Sequence, residues 1–303
     1  MAGNLAAGRI VLGAAALGQR YGIANPHYLI TRSETEAVLS AAWSRGIRQI
    51  DTAPLYGEAE KRIGEWTTCT GNHFRTISKL PPMTNVPDAK VEITIRGYVD
   101  TTCQNMHINK LEGYLLHDPD DFARPHIRQS LRALQVEDRC GFTGLSVYGP
   151  EDAIAALSID RVDALQLPVN LFDNRFIESG LPETCDNTNV RVFARSVFLQ
   201  GLLFRDPDTL PDFFAPIQRK LRSIQELSSE TDISLPLLAL AYVLQVRESD
   251  HVVLGCRHAS EVEELCDIAE APPLEKCIID RLREIGTATE AAMIDPRQWP
   301  RAS

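Results

Sequence analysis

The sequence predicts an α/β protein folded as a single (β/α)8, or TIM, barrel. Eight short segments rich in Ile, Val and Leu alternate with longer amphipathic stretches along the 303 residues, which is typical of parallel strands covered by helices. Eight strands within about 250 residues favour closure into a barrel. The alternative, an open doubly wound sheet, carries a glycine-rich phosphate loop after its first strand. The segment from Gly13 to Gly18 does not fit that motif.

The predicted elements follow one another in the order that a barrel requires. The predicted strands are Arg9–Leu12, Gly46–Asp51, Phe74–Lys79, Glu112–His117, Gly141–Ser146, Ala164–Leu167, Val190–Ala194 and Val252–Leu254. Ser33 is predicted to cap the helix before the second strand, with Glu36 completing a capping box. Pro150 is predicted to open another helix, because proline is tolerated in a first turn. Further helices are predicted over Asp88–Asn105 and Pro236–Val246.

One stretch after the seventh strand is too long for a simple loop between a strand and a helix. It runs from Gly201 to Ile233, begins with several Phe and Pro residues, and then turns helical from Ile217 to Ser228. Long loops at the carboxyl face of a barrel usually form substrate walls or cofactor lids. No repeat or linker marks a second domain, so one domain with an extended loop-plus-helix insertion is predicted over residues 1–303.

Composition and charge exclude several classes of partner. The 41 acidic and 31 basic residues give a net charge of −10, which repels nucleic acid and anionic membrane surfaces. The seven cysteines are scattered and form no CxxC pair, which indicates reduced thiols and no metal site. The apolar segment from Ile10 to Leu17 is short and lacks the flanks of a secretory signal. A cytoplasmic protein is therefore expected, and its oligomeric state is left open.

Four polar residues fall at the ends of consecutive predicted strands. Asp51, Lys79 and His117 end the second, third and fourth strands, and Tyr56 follows Asp51 in the next loop. Each alone has an ordinary structural explanation, such as a turn cap or a satisfied core histidine. Because the carboxyl ends of barrel strands meet at one face, where barrel active sites are built, the four are expected to share a site.

The chemistry of this set is that of carbonyl reduction. A neighbouring ammonium stabilises a phenolate, so Lys79 is expected to lower the pKa of Tyr56 and ease proton transfer. Asp51 is expected to keep Lys79 charged, which argues against a Schiff base at that lysine. A neutral His117 is expected to orient the carbonyl oxygen. Such a site suits a carbonyl carbon that receives hydride while its oxygen takes a proton from Tyr56.

The segment Asp51–Glu60, read D-T-A-P-L-Y-G-E-A-E, closely resembles the D-T-A-x-x-Y-G-x-x-E signature of the aldo-keto reductases. Further blocks follow in the family's order, namely Ser78–Leu80, Leu115–Pro119, Gly144–Tyr148, Gln166–Asn170 and Arg195–Leu203. The resemblance implies an NAD(P)H-dependent enzyme that acts on a small-molecule carbonyl substrate, with Tyr56 as general acid. Within the family the chain is most similar to a bacterial branch associated with sugar or surface-polysaccharide metabolism.

The resemblance also implies a set of cofactor-binding residues. Ser146 and Gln166 match positions that bind the nicotinamide carboxamide, Ser196 opens the pyrophosphate loop, and Arg257 lies at the adenosine end. The full expected set is Gly13, Ser146, Gln166, Arg195, Ser196, Gly201, Gly255, Arg257 and Glu261.

Two departures from the family pattern bear on the cofactor. Arg195 stands where an aromatic residue is common; its planar guanidinium can also stack on a ring, although its charge disfavours the oxidised cofactor. Glu261 stands where Arg or Gln is common, and a carboxylate repels a 2′-phosphate but can accept ribose hydroxyls. Arg257 can pair with the phosphate. NADPH is therefore expected, with NADH as the alternative.

Two other functions remain open at this point. A sugar dehydrogenase that works in the oxidative direction would use the same residues. A cofactor-binding regulatory subunit that senses redox state, as some family members do, would not need the complete proton-transfer set.

Overall fold

The computed structural model describes residues 7–23, 27–246 and 251–300. Eight parallel strands close into one barrel in chain order, and β8 pairs with β1 to complete it. The strands are β1 Ile10–Gly13, β2 Gln49–Asp51, β3 Arg75–Leu80, β4 Leu111–Leu116, β5 Cys140–Ser146, β6 Ala164–Pro168, β7 Arg191–Arg195 and β8 His251–Gly255. The predicted barrel is confirmed. β2 begins at Gln49 rather than Gly46, and the other strand boundaries differ by single residues.

Helices connect the strands and cover the outside of the barrel. The α-helices are α1 Ala15–Gly18, α2 Arg32–Ser44, α3 Ala59–Thr70, α4 Val91–Met106, α5 Pro125–Val136, α6 Pro150–Ile159, α7 Arg175–Glu178, α8 Leu181–Thr188, α9 Ala215–Thr231, α10 Leu235–Val246, α11 Ala259–Glu270, α12 Lys276–Gly286 and α13 Ala291–Ile294. Short 3-10 helices lie at Ala7–Arg9, Asp88–Lys90, Pro119–Ala123, Leu199–Phe204, Pro207–Thr209, Asp212–Phe214 and Pro296–Gln298.

The capping box predicted at the start of α2 lies two residues earlier than expected. Thr31 is the N-cap; its hydroxyl accepts the Glu34 backbone N–H, and the Glu34 carboxylate accepts the Thr31 N–H. The prediction of Ser33 and Glu36 was therefore wrong. Both pairs fit the same S/T-x-x-E spacing, but Glu34 also accepts the hydroxyl of Tyr28, a contact that favours the earlier start.

The insertion between β7 and α10 contains the predicted helix as part of α9, which packs against α12. The last described segment, residues 287–300, is called the tail below. It lies on this insertion, since Trp299 is buried with its ring 5.2 Å from that of Phe214. In the described ranges, no single helix has the length and apolar composition of a membrane span. The stretch 212–231 joined to 235–246 meets that criterion only as a pair bent by 100°.

Candidate active site

The barrel interior places the predicted site residues one layer above an apolar floor. The floor consists of inward side chains from six strands, namely Val11, Ile77, Leu115, Phe142, Ala164 and Phe193. Because side chains alternate along a strand, the next inward position lies two residues closer to the carboxyl end. Lys79 follows Ile77 in this way, Gln166 follows Ala164, and His117 stands two residues beyond Leu115, just after β4. The alternation of side chains therefore places a layer of polar residues, here called the polar rim, directly above the apolar floor.

Lys79 is the centre of a buried charge network. Its side chain is 1% exposed, and its Nζ donates to the Asp51 carboxylate oxygens at 2.6 and 2.7 Å. The same ammonium donates to the Thr52 carbonyl at 3.2 Å and to the Tyr56 hydroxyl oxygen at 3.2 Å. The structure thus brings the predicted carboxylate, ammonium and phenol together in the predicted pairing.

Burial and charge act in opposite directions on the pKa values of this network. Burial alone would lower the pKa of Lys79, but Asp51 and Tyr56 raise it above its usual value. Burial raises the pKa of Tyr56, and Lys79 lowers it only in part. The sequence argument expected a lowered pKa at Tyr56, because it included the ammonium and not the cost of burying a phenolate. At neutral pH Tyr56 is therefore a protonated donor beside a charged lysine.

His117 completes the group as a neutral imidazole. Its ring meets the ring of Tyr56 edge to face, with the centroids 6.1 Å apart. Burial, followed by the charge of Lys79, lowers the pKa of His117 to about 4. Its Nδ1 is buried with no hydrogen-bond partner among the residues that the structure describes. Because a buried N–H without an acceptor is costly, the proton is favoured on Nε2, which then faces a ligand as a donor.

The turn that carries Tyr56 packs closely on the end of α1. Glu58 N–H donates to the Gly18 carbonyl at 3.1 Å. A Cβ added to Gly18 would lie 2.1 Å from the Tyr56 carbonyl oxygen and from the Ala59 nitrogen, so only glycine allows this approach. The position of the turn that carries the phenol therefore depends on a glycine at the end of α1.

A cavity of about 560 Å³ opens above the rim, within the size range of ligand pockets. Asp51, Tyr56 and His117 line it, and Lys79 lies buried beneath them. All the residues expected to bind a cofactor line the same cavity: Gly13, Ser146, Gln166, Arg195, Ser196, Gly201, Gly255, Arg257 and Glu261.

Gln166 and Ser146 connect directly to the charge network. Gln166 Nε2 donates to Asp51 Oδ1 at 2.7 Å, and Ser146 Oγ donates to Gln166 Oε1 at 3.4 Å. The sequence did not predict this link, because it joins strands on opposite sides of the barrel. A chain of hydrogen bonds therefore runs from Ser146 through Gln166 to Asp51, the carboxylate that holds Lys79.

The loop after β7 has an unusual backbone. Ser196, Leu199 and Gln200 have φ values of 60°, 44° and 53°, and Gly201 has 89°. Left-handed conformations are unfavourable for residues other than glycine and persist mainly at functional sites. Backbone turned in this way can direct successive N–H groups at an anion. The loop thus fits the phosphate end of a dinucleotide, as its sequence resemblance implies.

The amino end of α11 is occupied by its own side chain. Glu261 Oε2 accepts the backbone N–H groups of Arg257 at 2.6 Å and of His258 at 3.4 Å. The Arg257 guanidinium donates to the carbonyl of Tyr21. A carboxylate therefore stands where a helix amino terminus would otherwise attract an anion.

Tyr21, Tyr148 and Arg297 are among the further residues that line the cavity and for which the sequence predicted no role. Tyr148 belongs to a sequence block that matched the family, and this was the available signal. Arg297 lies in the tail, close to the buried Trp299. The guanidinium carbons of Arg195 and Arg297 lie 4.5 and 3.4 Å from the centre of the Tyr148 ring. Arg195 is thus stacked on a protein ring.

Comparisons with known proteins relate the whole barrel to one family. The model of the aldo/keto reductase family matches residues 9–287. D-threo-aldose 1-dehydrogenase of a Pseudomonas species is 26% identical over 299 residues, covering 84% of this chain and 89% of the relative. D-arabinose 1-dehydrogenase of Saccharomyces cerevisiae is 26% identical over 279 residues, covering 84% and 80%.

Solved structures show the same fold. An aldo-keto reductase from Bacillus halodurans, in its holo form, matches with a TM-score of 0.74 and 19% identity, covering 96% of this chain and 95% of that one. Glycerol dehydrogenase from Gluconobacter oxydans matches with a TM-score of 0.71 and 21% identity, covering 91% and 90%.

Proposed function

Because the chain belongs to the aldo/keto reductase family, and is thus an NAD(P)-dependent oxidoreductase, we propose that it reduces a small aldehyde or ketone with Tyr56 as general acid. One observation carries the proposal. The hydroxyl of Tyr56 lies 3.2 Å from the buried ammonium of Lys79, on the wall of a cavity shared with a neutral His117.

Each polar residue then has a task in the reaction. His117 donates a hydrogen bond to the substrate carbonyl oxygen and orients it toward Tyr56. A nicotinamide held by Ser146 and Gln166 would supply hydride to the carbonyl carbon. Tyr56 gives its proton to the oxygen, which completes the alcohol, and Lys79 stabilises the phenolate that remains. Asp51 keeps Lys79 charged, and the phenolate regains its proton from solvent.

The expected cofactor residues fit a dinucleotide that extends across the cavity. We propose that Ser146 and Gln166 bind the carboxamide and that the loop from Ser196 to Gly201 binds the pyrophosphate. Gly255, Arg257 and Glu261 would receive the adenosine end, and Arg195 would lie beside the nicotinamide. Gly13 lines the same cavity without a side chain that could obstruct the cofactor. The nine residues share one cavity, and the strained loop after β7 supports the phosphate assignment.

The choice between NADPH and NADH depends on Arg257 and Glu261. The expected preference for NADPH relies on Arg257 pairing with a 2′-phosphate. In the structure Arg257 is engaged by the Tyr21 carbonyl and Glu261 occupies the start of α11, and both contacts favour NADH. Fluorescence titration of the two reduced cofactors decides the matter, with Glu261→Gln as the variant in which binding of NADPH is expected to improve.

The direction of the reaction in the cell has a second candidate. Two relatives are named sugar dehydrogenases, so oxidation of an aldose is the alternative to carbonyl reduction at this same site. A sugar or a sugar-derived carbonyl is accordingly the substrate class we propose to screen first. The cysteines form no disulfide within the described residues, which suits a reducing compartment and supports a cytoplasmic location.

The test is a screen of aldehydes, ketones and sugars that follows the absorbance of the reduced cofactor in both directions. Turnover that requires Tyr56 supports the proposal. Tight cofactor binding without turnover on either panel would instead favour a redox-sensing subunit.

A further inference from the structure

Two arginines meet over one tyrosine ring at the cavity wall. The guanidinium carbons of Arg195 and Arg297 each lie within 4.5 Å of the centre of the Tyr148 ring. Because both distances are measured to the same ring centre, the two guanidinium carbons are less than twice 4.5 Å apart. Arg195 extends from the end of β7, whereas Arg297 belongs to the tail that is anchored by Trp299.

Only one of these cations has a carboxylate partner. Arg297 donates to both oxygens of Asp295, at 2.7 to 3.1 Å, through Nε and Nη2. Arg195 donates to neutral groups, the Val147 carbonyl at 2.9 Å and the Ser196 hydroxyl at 3.1 Å. Within the described residues Arg195 forms no ion pair, and its buried Nε has no acceptor. Arg195 is therefore a cation without a carboxylate partner near a second cation that has one.

This charge lies next to the reacting groups. Arg195 and Arg297 line the cavity together with Tyr56 and His117. After burial and the Lys79 charge, the positive charge of Arg195 is among the influences on the pKa of both Tyr56 and His117, which places it close to them. The rings of Phe198 and Phe204, with centroids 5.4 Å apart, add an apolar wall to the same cavity.

We propose that the substrate carries an anionic group, a carboxylate or a phosphate, in addition to its carbonyl, and that Arg297 and Arg195 bind this group. The inference rests on the proposed function and narrows its substrate class. Side-chain conformations here are largely fixed before binding, because Arg297 is held by Asp295 and by the Tyr148 ring. A fixed guanidinium loses little conformational entropy when it binds a carboxylate.

The cofactor phosphates are the other source of negative charge, but the rest of the cavity already has groups for them. These groups are the strained loop from Ser196 to Gly201, which follows β7, and the residues at the start of α11, which follows β8. Arg297 instead stands on the tail, over a tyrosine that follows β5. We therefore assign the pair to the substrate, and the experiment below separates the two sources.

The experiment compares two isosteric aldehydes, 4-formylbenzoate and its neutral amide 4-formylbenzamide. For the wild-type protein we expect kcat/KM to favour the carboxylate by about tenfold or more, mainly through KM, as is typical of a hydrogen-bonded charge. Arg297→Gln is expected to remove most of this preference. Arg161→Gln removes one charge from a side chain that is 86% exposed and paired with Asp163, and it should retain the preference.

Binding is measured separately from turnover. Terephthalate and its monoamide are titrated into the protein saturated with cofactor, and the cofactor itself is titrated into each variant. Arg297-dependent binding of terephthalate without any turnover would contradict the proposed reductase but support the anion site. Equal kcat/KM for the two aldehydes, with turnover intact, would overturn the anion site alone. Weaker cofactor binding in Arg297→Gln, with the preference for the carboxylate unchanged, would assign Arg297 to the cofactor and also overturn the inference.

Discussion

Replacing Tyr56 by Phe separates the chemistry of the site from its stability. The change removes the proton donor, and positioned general acids typically contribute about 10²–10⁴ in rate. That loss corresponds to about 3–5 kcal/mol in the activation free energy. The shape of the cavity wall is retained, because the ring stays in place.

The cost in stability is expected to be small. Lys79 loses one acceptor at 3.2 Å but keeps two contacts to Asp51 and one to Thr52. Loss of one such hydrogen bond changes the free energy of unfolding by about 1 kcal/mol. For a chain of 303 residues the melting temperature then falls by only about 2 °C, and binding of the reduced cofactor is unchanged.

The assay is steady-state turnover on the best substrate, with cofactor titration and thermal unfolding of the same samples. Tyr21→Phe is the matched control, because Tyr21 lines the same cavity and burial raises its pKa to about 12. Turnover of Tyr56→Phe within tenfold of the wild type would refute the reasoning. A large loss in Tyr21→Phe instead would move the acid to that residue.

Three further changes test the surroundings of this phenol. Asp51→Asn leaves the buried Lys79 ammonium without its carboxylate and should lower the free energy of unfolding, measured in urea at pH 7, by about 3–5 kcal/mol. This loss should shrink as the pH rises toward the pKa of lysine, and a loss that stays constant would contradict the prediction. The pKa of His117 is about 4 in the folded protein and about 6.5 in the unfolded chain. The free energy of unfolding of the wild type therefore falls as the pH drops from about 6.5 to about 4, and that of His117→Asn should fall by about 2 kcal/mol less over the same range. Gly18→Ala forces a methyl group against the Tyr56 carbonyl. It should lower turnover and the melting temperature, with a loss of about 1–3 kcal/mol in the free energy of unfolding. Normal turnover would show that the turn can shift freely.

The barrel could be predicted because the pattern that specifies it is local and is repeated along the sequence. Each strand is apolar on both faces, and each is followed by an amphipathic helix. The grouping of Asp51, Lys79 and His117 followed from the same topology, since equivalent strand ends must meet. Their catalytic roles remain predictions, although the distances are those that the chemistry requires.

What the sequence could not provide depends on packing between distant segments. Two overlapping patterns fit the cap of α2, and a contact from Tyr28 favours one of them. The direction of the Tyr56 pKa shift needed the burial of the phenol, which no motif encodes. The approach of Arg297 to Tyr148 depends on where the tail lies, and the sequence left that position open.

The alternation of floor and rim along each strand limits how this chain can vary. Deleting or inserting a single residue within β3 would turn Lys79 outward into the helical layer and bring Ser78 into the cavity. Length changes are therefore tolerable only beyond the strand ends, in segments such as the insertion before α10. Lineages that carry this scaffold can acquire new substrates by lengthening or trimming those outer segments while the proton-transfer groups stay in register.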